Sequence, residues 1–224
     1  MVTTTPPAIV LQDSPDFWKC LKFPLQSKIS RYELFLGGLW MLVPVFGWLI
    51  NMGHRIIMVH NLLHNQPTWP SLNHPGRALY HGCLTFAGML FYSIPAFLCF
   101  LIAAYLHAKN IHLTIIALPV SLGIVCQIIA ILAIPGYMTQ YCIHYDAKEI
   151  FSFSKSIRRV FQAGRWYYLA WRNAFICLLL SFLGLLFFGL GFLWTSVWFW
   201  QVAGFSFAGA FAKTMPHKEK TISS

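Results

Sequence analysis

Apolar residues in this chain gather in long runs rather than in the short alternations of a half-buried sheet. Four stretches stand out. Leu34–Ile50 has 17 residues without a charge, Gly82–Leu106 has 25, Ile111–Ile134 has 24 and Asn173–Ala212 has 40. At about 1.5 Å per helical residue, the second and third stretches each cross a hydrocarbon core of about 30 Å. The fourth is long enough for two crossings, and Gly189-Leu190-Gly191 near its middle supplies the conformational freedom for a tight hairpin. It therefore reads as two helices, over 170–189 and 193–212.

The first stretch is at the short limit for a span and carries Pro44 and Gly47 in its middle. Proline removes a backbone donor, so a continuous helix there would leave polar groups unsatisfied in lipid. Lys and Arg number four before residue 34, two in 51–81, one in 107–110, six in 144–172 and three after 212. Five crossings would divide these eleven to five between the two faces of the membrane. A re-entrant hairpin over 31–63, bent near Pro44, divides them fifteen to one and leaves only Lys109 on the far side. The positive-inside tendency favours the hairpin and places the basic connections in the cytoplasm. The fold class that follows is all-α: a polytopic membrane protein of four to five transmembrane helices, with one helical domain over 31–212 between flexible tails at 1–30 and 213–224.

Residues 153–168 carry a different period. At 100° per residue, Phe153, Ile157, Val160, Phe161, Gly164 and Tyr168 fall in one arc, with Lys155, Arg158, Arg159, Gln162 and Arg165 opposite. This predicts an amphipathic helix in the headgroup plane, its basic face Lys155, Arg158, Arg159 and Arg165 turned to anionic lipid headgroups.

Composition supports the membrane class. Of 224 residues, 58% are hydrophobic and 10% charged, against about 25% charged in soluble domains. The net charge of +10 resides in the connections, which suits lipid rather than nucleic acid. Six cysteines form no C-x-x-C pair, and most lie in apolar runs as small hydrophobes.

Candidate chemistry is sparse. His54, His60, His64, His74 and His81 cluster around the first long connection, and His60 and His64 share a helical face at metal-compatible spacing. No Asp or Glu occurs between Glu33 and Asp146 to complete such a site, and His107 and His112 lie across the bilayer. The apolar stretches hold no formal charge of the kind ion-coupled transport uses. No P-loop, Rossmann or nucleophile-elbow motif occurs, so no catalytic, metal or cofactor residues are assigned and no enzymatic activity is expected. Gln127, Gln140 and Gln201 would line a path if the protein passed neutral solutes. Trp198, Trp200, Gln201, Gly204 and Ala208 form a face for packing or for a partner, either another membrane protein or a second copy.

The run Gly47-Trp48 to Asn51, Gly53-His54-Arg55, then Val59 to His64 and Pro67 to Trp69-Pro70, has a recognisable cadence. So have Gly82, Pro95, the exit at Ile134-Pro135, Arg165-Trp166 and Trp198 to Gly204. Together they resemble the prokaryotic membrane-protein family catalogued as domain of unknown function 4013, over roughly 30 to 212. Trp48 departs from the tyrosine usual there, and His54 and His64 are additional histidines. The resemblance implies a multi-helix membrane fold and no particular activity. The functional expectation is a non-catalytic accessory, assembly or scaffold protein acting through helix faces. The alternatives are a facilitator of a neutral solute and, more remotely, a histidine-metal enzyme.

Overall fold

The computed structural model describes residues 16–72 and 75–213. The tails expected at 1–15 and 214–224 lie outside the described residues, as does His74. From Asp16 onward the expected N-terminal tail is replaced by structure. α1 (Phe17–Lys22) leads through a 3-10 turn (Phe23–Leu25) into α2 (Lys28–Trp40). Phe23 is fully buried, its ring stacked on Phe205 at 4.2 Å and on Trp69 at 5.0 Å. A single aromatic anchor of this kind leaves no periodicity to read.

A reciprocal Ser27–Ser30 capping box starts α2. α2 ends in a turn closed by Val43 N–H on the Trp40 carbonyl at 2.9 Å, and Pro44 opens α3 (Pro44–Leu63) at its first turn. Proline is at home there because that N–H has no helical partner to lose. Residues 31–63 thus form a helical hairpin, and Leu34–Ile50 is not one helix. Gly47 lets the two arms close, since a Cβ on it would sit 1.8 Å from the Trp40 carbonyl oxygen.

α4 (Pro75–Ala108) and α5 (Leu113–His144) form a long antiparallel pair, with Pro95, Pro119 and Pro135 held inside the helices. The exit expected at Pro135 does not occur: α5 runs on to His144, and Tyr145 then ends it in a left-handed conformation at φ 53°. α6 (Ala147–Ile150) precedes α7 (Phe153–Ser181), which continues as a 3-10 turn (Phe182–Leu186). A turn containing Gly189 at φ 76° leads into α8 (Gly191–Ala212).

α7 corrects the amphipathic reading. Its backbone breaks at Gly164 (φ 45°, ψ −119°), so the segment stops there rather than at Tyr168. The expected apolar arc also divides. Ile157 and Val160 of it are half-buried, Phe153, Phe161 and Tyr168 point outward, and the residues buried against the bundle are Ser156, Ala163 and Tyr167, outside the arc.

Among the described residues, three helices are long and apolar enough to cross a membrane: Pro75–Ala108, Leu113–His144 and Phe153–Leu186. All regular structure among the described residues is helical, and the chain has the form of a multi-pass membrane protein. α3 and α8 are shorter, 20 and 22 residues, and form its interior. One core joins Met52, Ile56, Met58 and Val59 of α3 to Tyr137 and Tyr141 of α5, and a second joins Tyr167, Ala170 and Ala174 of α7 to Val202, Ala203 and Phe207 of α8.

Candidate functional site

Polar side chains of α3 are directed inward and most are used to hold the chain in place. Asn51 Nδ2 donates to the Gly37 and Gly47 carbonyls at 2.9 and 2.8 Å, tying the hairpin arms together. Glu33 Oε2 accepts from Leu72 N–H at 2.9 Å, and His54 Nε2 donates to the Pro70 carbonyl at 3.0 Å, 3.7 Å from the same carboxylate. Burial raises the Glu33 carboxyl above its ordinary range, opposed by the Leu72 hydrogen bond.

The histidines around the first connection stack with tyrosines. His60 lies 4.1 Å from both His64 and Tyr145, and His81 lies 4.4 Å from Tyr145 on another side, ring centre to ring centre. His60 Nδ1 donates to the Cys142 carbonyl at 2.6 Å, His64 Nδ1 to the His60 carbonyl at 2.8 Å, and His81 Nδ1 pairs with the Tyr141 hydroxyl at 2.7 Å. Each of these nitrogens is committed to a structural partner. Burial pushes the Tyr145 phenol up to about 12, against the pull of Arg77, so it stays neutral at physiological pH. Among the described residues no three His, Cys, Asp or Glu side chains converge as metal ligands do.

Arg55 is the exception on α3. Its side chain is 7% exposed. Nη2 touches only Met138 Sδ, at 3.4 Å, and the guanidinium lies 4.6 Å from the centre of the Trp200 ring. Gly204 makes room for its stem, because a Cβ there would meet Arg55 Cγ at 2.9 Å. No carboxylate among the described residues pairs with it: Glu149 is taken by Lys155 and Arg159, Glu33 by Leu72 and His54, and Asp146 caps α6.

Arg55 lines a cavity of about 380 Å³ walled by α3, α5, α7 and α8. Its other walls are almost entirely apolar, including Ile134, Met138, Leu178 and Phe207. Trp171 Nε1, buried in the same lining, forms no hydrogen bond of good geometry, with the Tyr167 hydroxyl close by. Ile131, on α5, is 42% exposed, so the cavity meets the outer surface on that helix.

The residues singled out from the sequence are distributed otherwise. Lys155 and Arg159 share Glu149 at 3.2 and 3.4 Å, which offsets part of the basic face, while Arg158 and Arg165 are exposed. Gln201 and Ala208 are buried, Gly204 packs on Arg55, and Trp198 Nε1 donates to the Leu21 carbonyl at 3.2 Å. That face of α8 is interior packing, with Trp200 a wall of the cavity. Gln127, Gln140 and Gln201 do not converge, and none lines the cavity. The sequence reading missed Arg55 because the first apolar stretch was ended at Ile50, the last residue before the polar Asn51. The apolar run Ile56-Ile57-Met58-Val59 directly after Arg55 was the available signal that the charge sits inside a buried helix.

No curated protein and no solved structure matches the chain. Residues 36–209 match the family described as protein of unknown function (DUF4013), and the chain belongs to that family.

Proposed function

We propose that the protein crosses the membrane four times, through α4, α5, α7 and α8, with α2–α3 as a re-entrant hairpin, and that it acts without catalysis as an accessory or scaffold component. Thirteen residues give α2 a length of about 20 Å, short of a core of about 30 Å. With Arg55 withdrawn into the bundle, fourteen of the sixteen Lys and Arg fall in connections and tails on one side and Lys109 on the other. The positive-inside tendency makes the first side cytoplasmic, where Arg158 and Arg165 meet anionic headgroups.

The observation that carries the scaffold reading is the outer part of the α4–α5 pair. Between Tyr92 and Ala130 it buries only Ala96, Ala103, Ile116 and Gly123. The other described residues leave this apolar projection uncovered, with Phe97 at 61% and Leu101 at 49% exposure. Helices in lipid associate by close packing of complementary faces, and this projection offers such a face to a second membrane protein or a second copy. The test is purification at native abundance in mild detergent, with native mass spectrometry. A stoichiometric partner is expected, lost in the Phe97→Ala/Leu101→Ala double variant while the melting temperature holds. A chain that is monomeric before and after substitution, in detergent and in lipid nanodiscs, overturns the reading.

A further inference from the structure

We infer that the cavity beside Arg55 is a binding site for a single-chain anionic amphiphile, its acyl chain along the apolar walls and its oxyanion on the Arg55 guanidinium. The inference rests on the scaffold reading only in that the site binds and does not transform its ligand.

Three observations meet here. The first is an unpaired cation. A guanidinium carries five N–H donors and no acceptor, and Arg55 offers them one thioether sulfur and the face of one indole. Taking such a charge out of water is costly unless an anion and hydrogen bonds compensate; of the described carboxylates Glu33, Asp146 and Glu149 are engaged elsewhere, Asp16 stands at the start of α1, and none pairs with Arg55. A guanidinium fork fits a carboxylate or phosphate through two parallel hydrogen bonds. The second is the Trp171 indole N–H, buried in the same lining without a well-formed hydrogen bond, only the Tyr167 hydroxyl lying near it. A ligand oxygen could use it. The third is the shape and lining. About 380 Å³ is near the lower end of small-molecule sites, which run from about 300 to 1,000 Å³, and this volume suits one chain rather than two. Ile56, Val59, Ile134, Leu178 and Phe207 supply walls with no polar demand of their own. Exposure of Ile131 gives a lipid-borne ligand a way in from the bilayer.

The test uses the full chain in mild non-ionic detergent and a stearate bearing a photoreactive diazirine. Labelling is expected on peptides spanning Ile131–Cys142 or Phe199–Phe207. Oleate should displace the probe, and its methyl ester, with the same chain and no charge, about tenfold less well, as expected for losing a charge-assisted hydrogen bond. Arg55→Met should abolish the difference between acid and ester, and Arg55→Lys should retain part of it. Lysophosphatidic acid is run beside oleate, and the stronger competitor names the head group as phosphate or carboxylate. Should Arg55→Met fail to fold, Ala174→Leu narrows the cavity from α7 with Arg55 intact, and it should weaken labelling about tenfold. Equal displacement by acid and ester overturns the inference, as does labelling that falls outside the cavity or is unmoved by both variants. Labelling is read on the purified chain and partner retention on the native complex, so each reading can fail alone.

Discussion

The interior helices α3 and α8 and the outer part of the α4–α5 pair are both rich in apolar residues, yet their relation to burial is inverted. The most apolar windows of α4 and α5 are only 17% buried. α3 and α8, although apolar too, hold Asn51, His54, Arg55 and Gln201 at 7% exposure or less. In water this would be an inside-out protein. In a bilayer it is the expected order, because lipid tails solvate leucine as well as a core does and provide no drive to bury it. Polar groups gain most from the interior, where partners can be arranged. Within such a fold, uninterrupted apolar faces mark the surface turned to lipid, and polar residues inside an apolar helix mark the centre.

The sharpest break of this comparison is at the α3–α4 contact, which is backbone on backbone. A Cβ on Gly53 would lie 1.6 Å from the Ala78 carbonyl oxygen, and one on Gly82 would lie 1.9 Å from that of Leu49. No side-chain rotation relieves either clash. Gly53→Ala should therefore destabilise by about 3 kcal/mol or more, at or above the upper range for overpacking. Gly76→Ala, with open space around its Cβ, should change nothing. Melting followed by size-exclusion chromatography of heated detergent samples separates the two, and equal melting would show that the two helices are not in this contact.

A smaller effect is expected within the re-entrant hairpin. Asn51→Leu removes the hydrogen bond that ties the Gly37 carbonyl of α2 to α3, together with the bond to the Gly47 carbonyl within α3. Side-chain hydrogen bonds inside membrane proteins average about 0.6 kcal/mol each, with a maximum near 1.7, so a loss of about 1 to 2 kcal/mol follows. It should appear as faster thiol labelling of a cysteine placed at Leu36, which packs against the Ile50 and Ile57 cluster of α3, measured in an Asn51 background against the Leu variant. Unchanged labelling would mean that α2 is held by its apolar contacts alone.

Much of this arrangement was legible in the sequence, and the residues that were not share a cause. Pro44 announced the hairpin because proline's missing N–H constrains any helix locally. Gly189 announced the next one for a similarly local reason, a backbone freedom realised at φ 76°. Phe23, Arg55 and Trp200 could not be placed, since each is defined by what lies across from it. Phe23 is fixed by rings 46 and 182 positions away in the chain. Gly164 was counted in an apolar arc, yet its backbone at φ 45° breaks the helix, and a helical wheel assumes the regular backbone it would have needed to test. An abundance of tryptophan on α8 likewise cannot tell a lipid-facing belt from a core.

The smallest expected effect separates packing from hydropathy as the source of stability. Leu118 on α5 is 72% exposed. In a soluble protein, truncating a surface leucine changes stability little because water already surrounded it. Here the side chain lies among lipid tails in both the folded and the separated helices, so Leu118→Ala exchanges protein–lipid contacts for lipid–lipid ones. The change should stay within about 0.5 kcal/mol. Ala103, in contrast, is 6% exposed in the seam where α4 meets α5. Ala103→Leu adds volume at a close approach and should cost about 1 to 3 kcal/mol, although it makes the sequence more hydrophobic. A hydropathy account predicts that the leucine loss hurts and the leucine gain helps. The packing account predicts that the loss is silent and the gain hurts, and melting of the two variants in lipid nanodiscs decides between them.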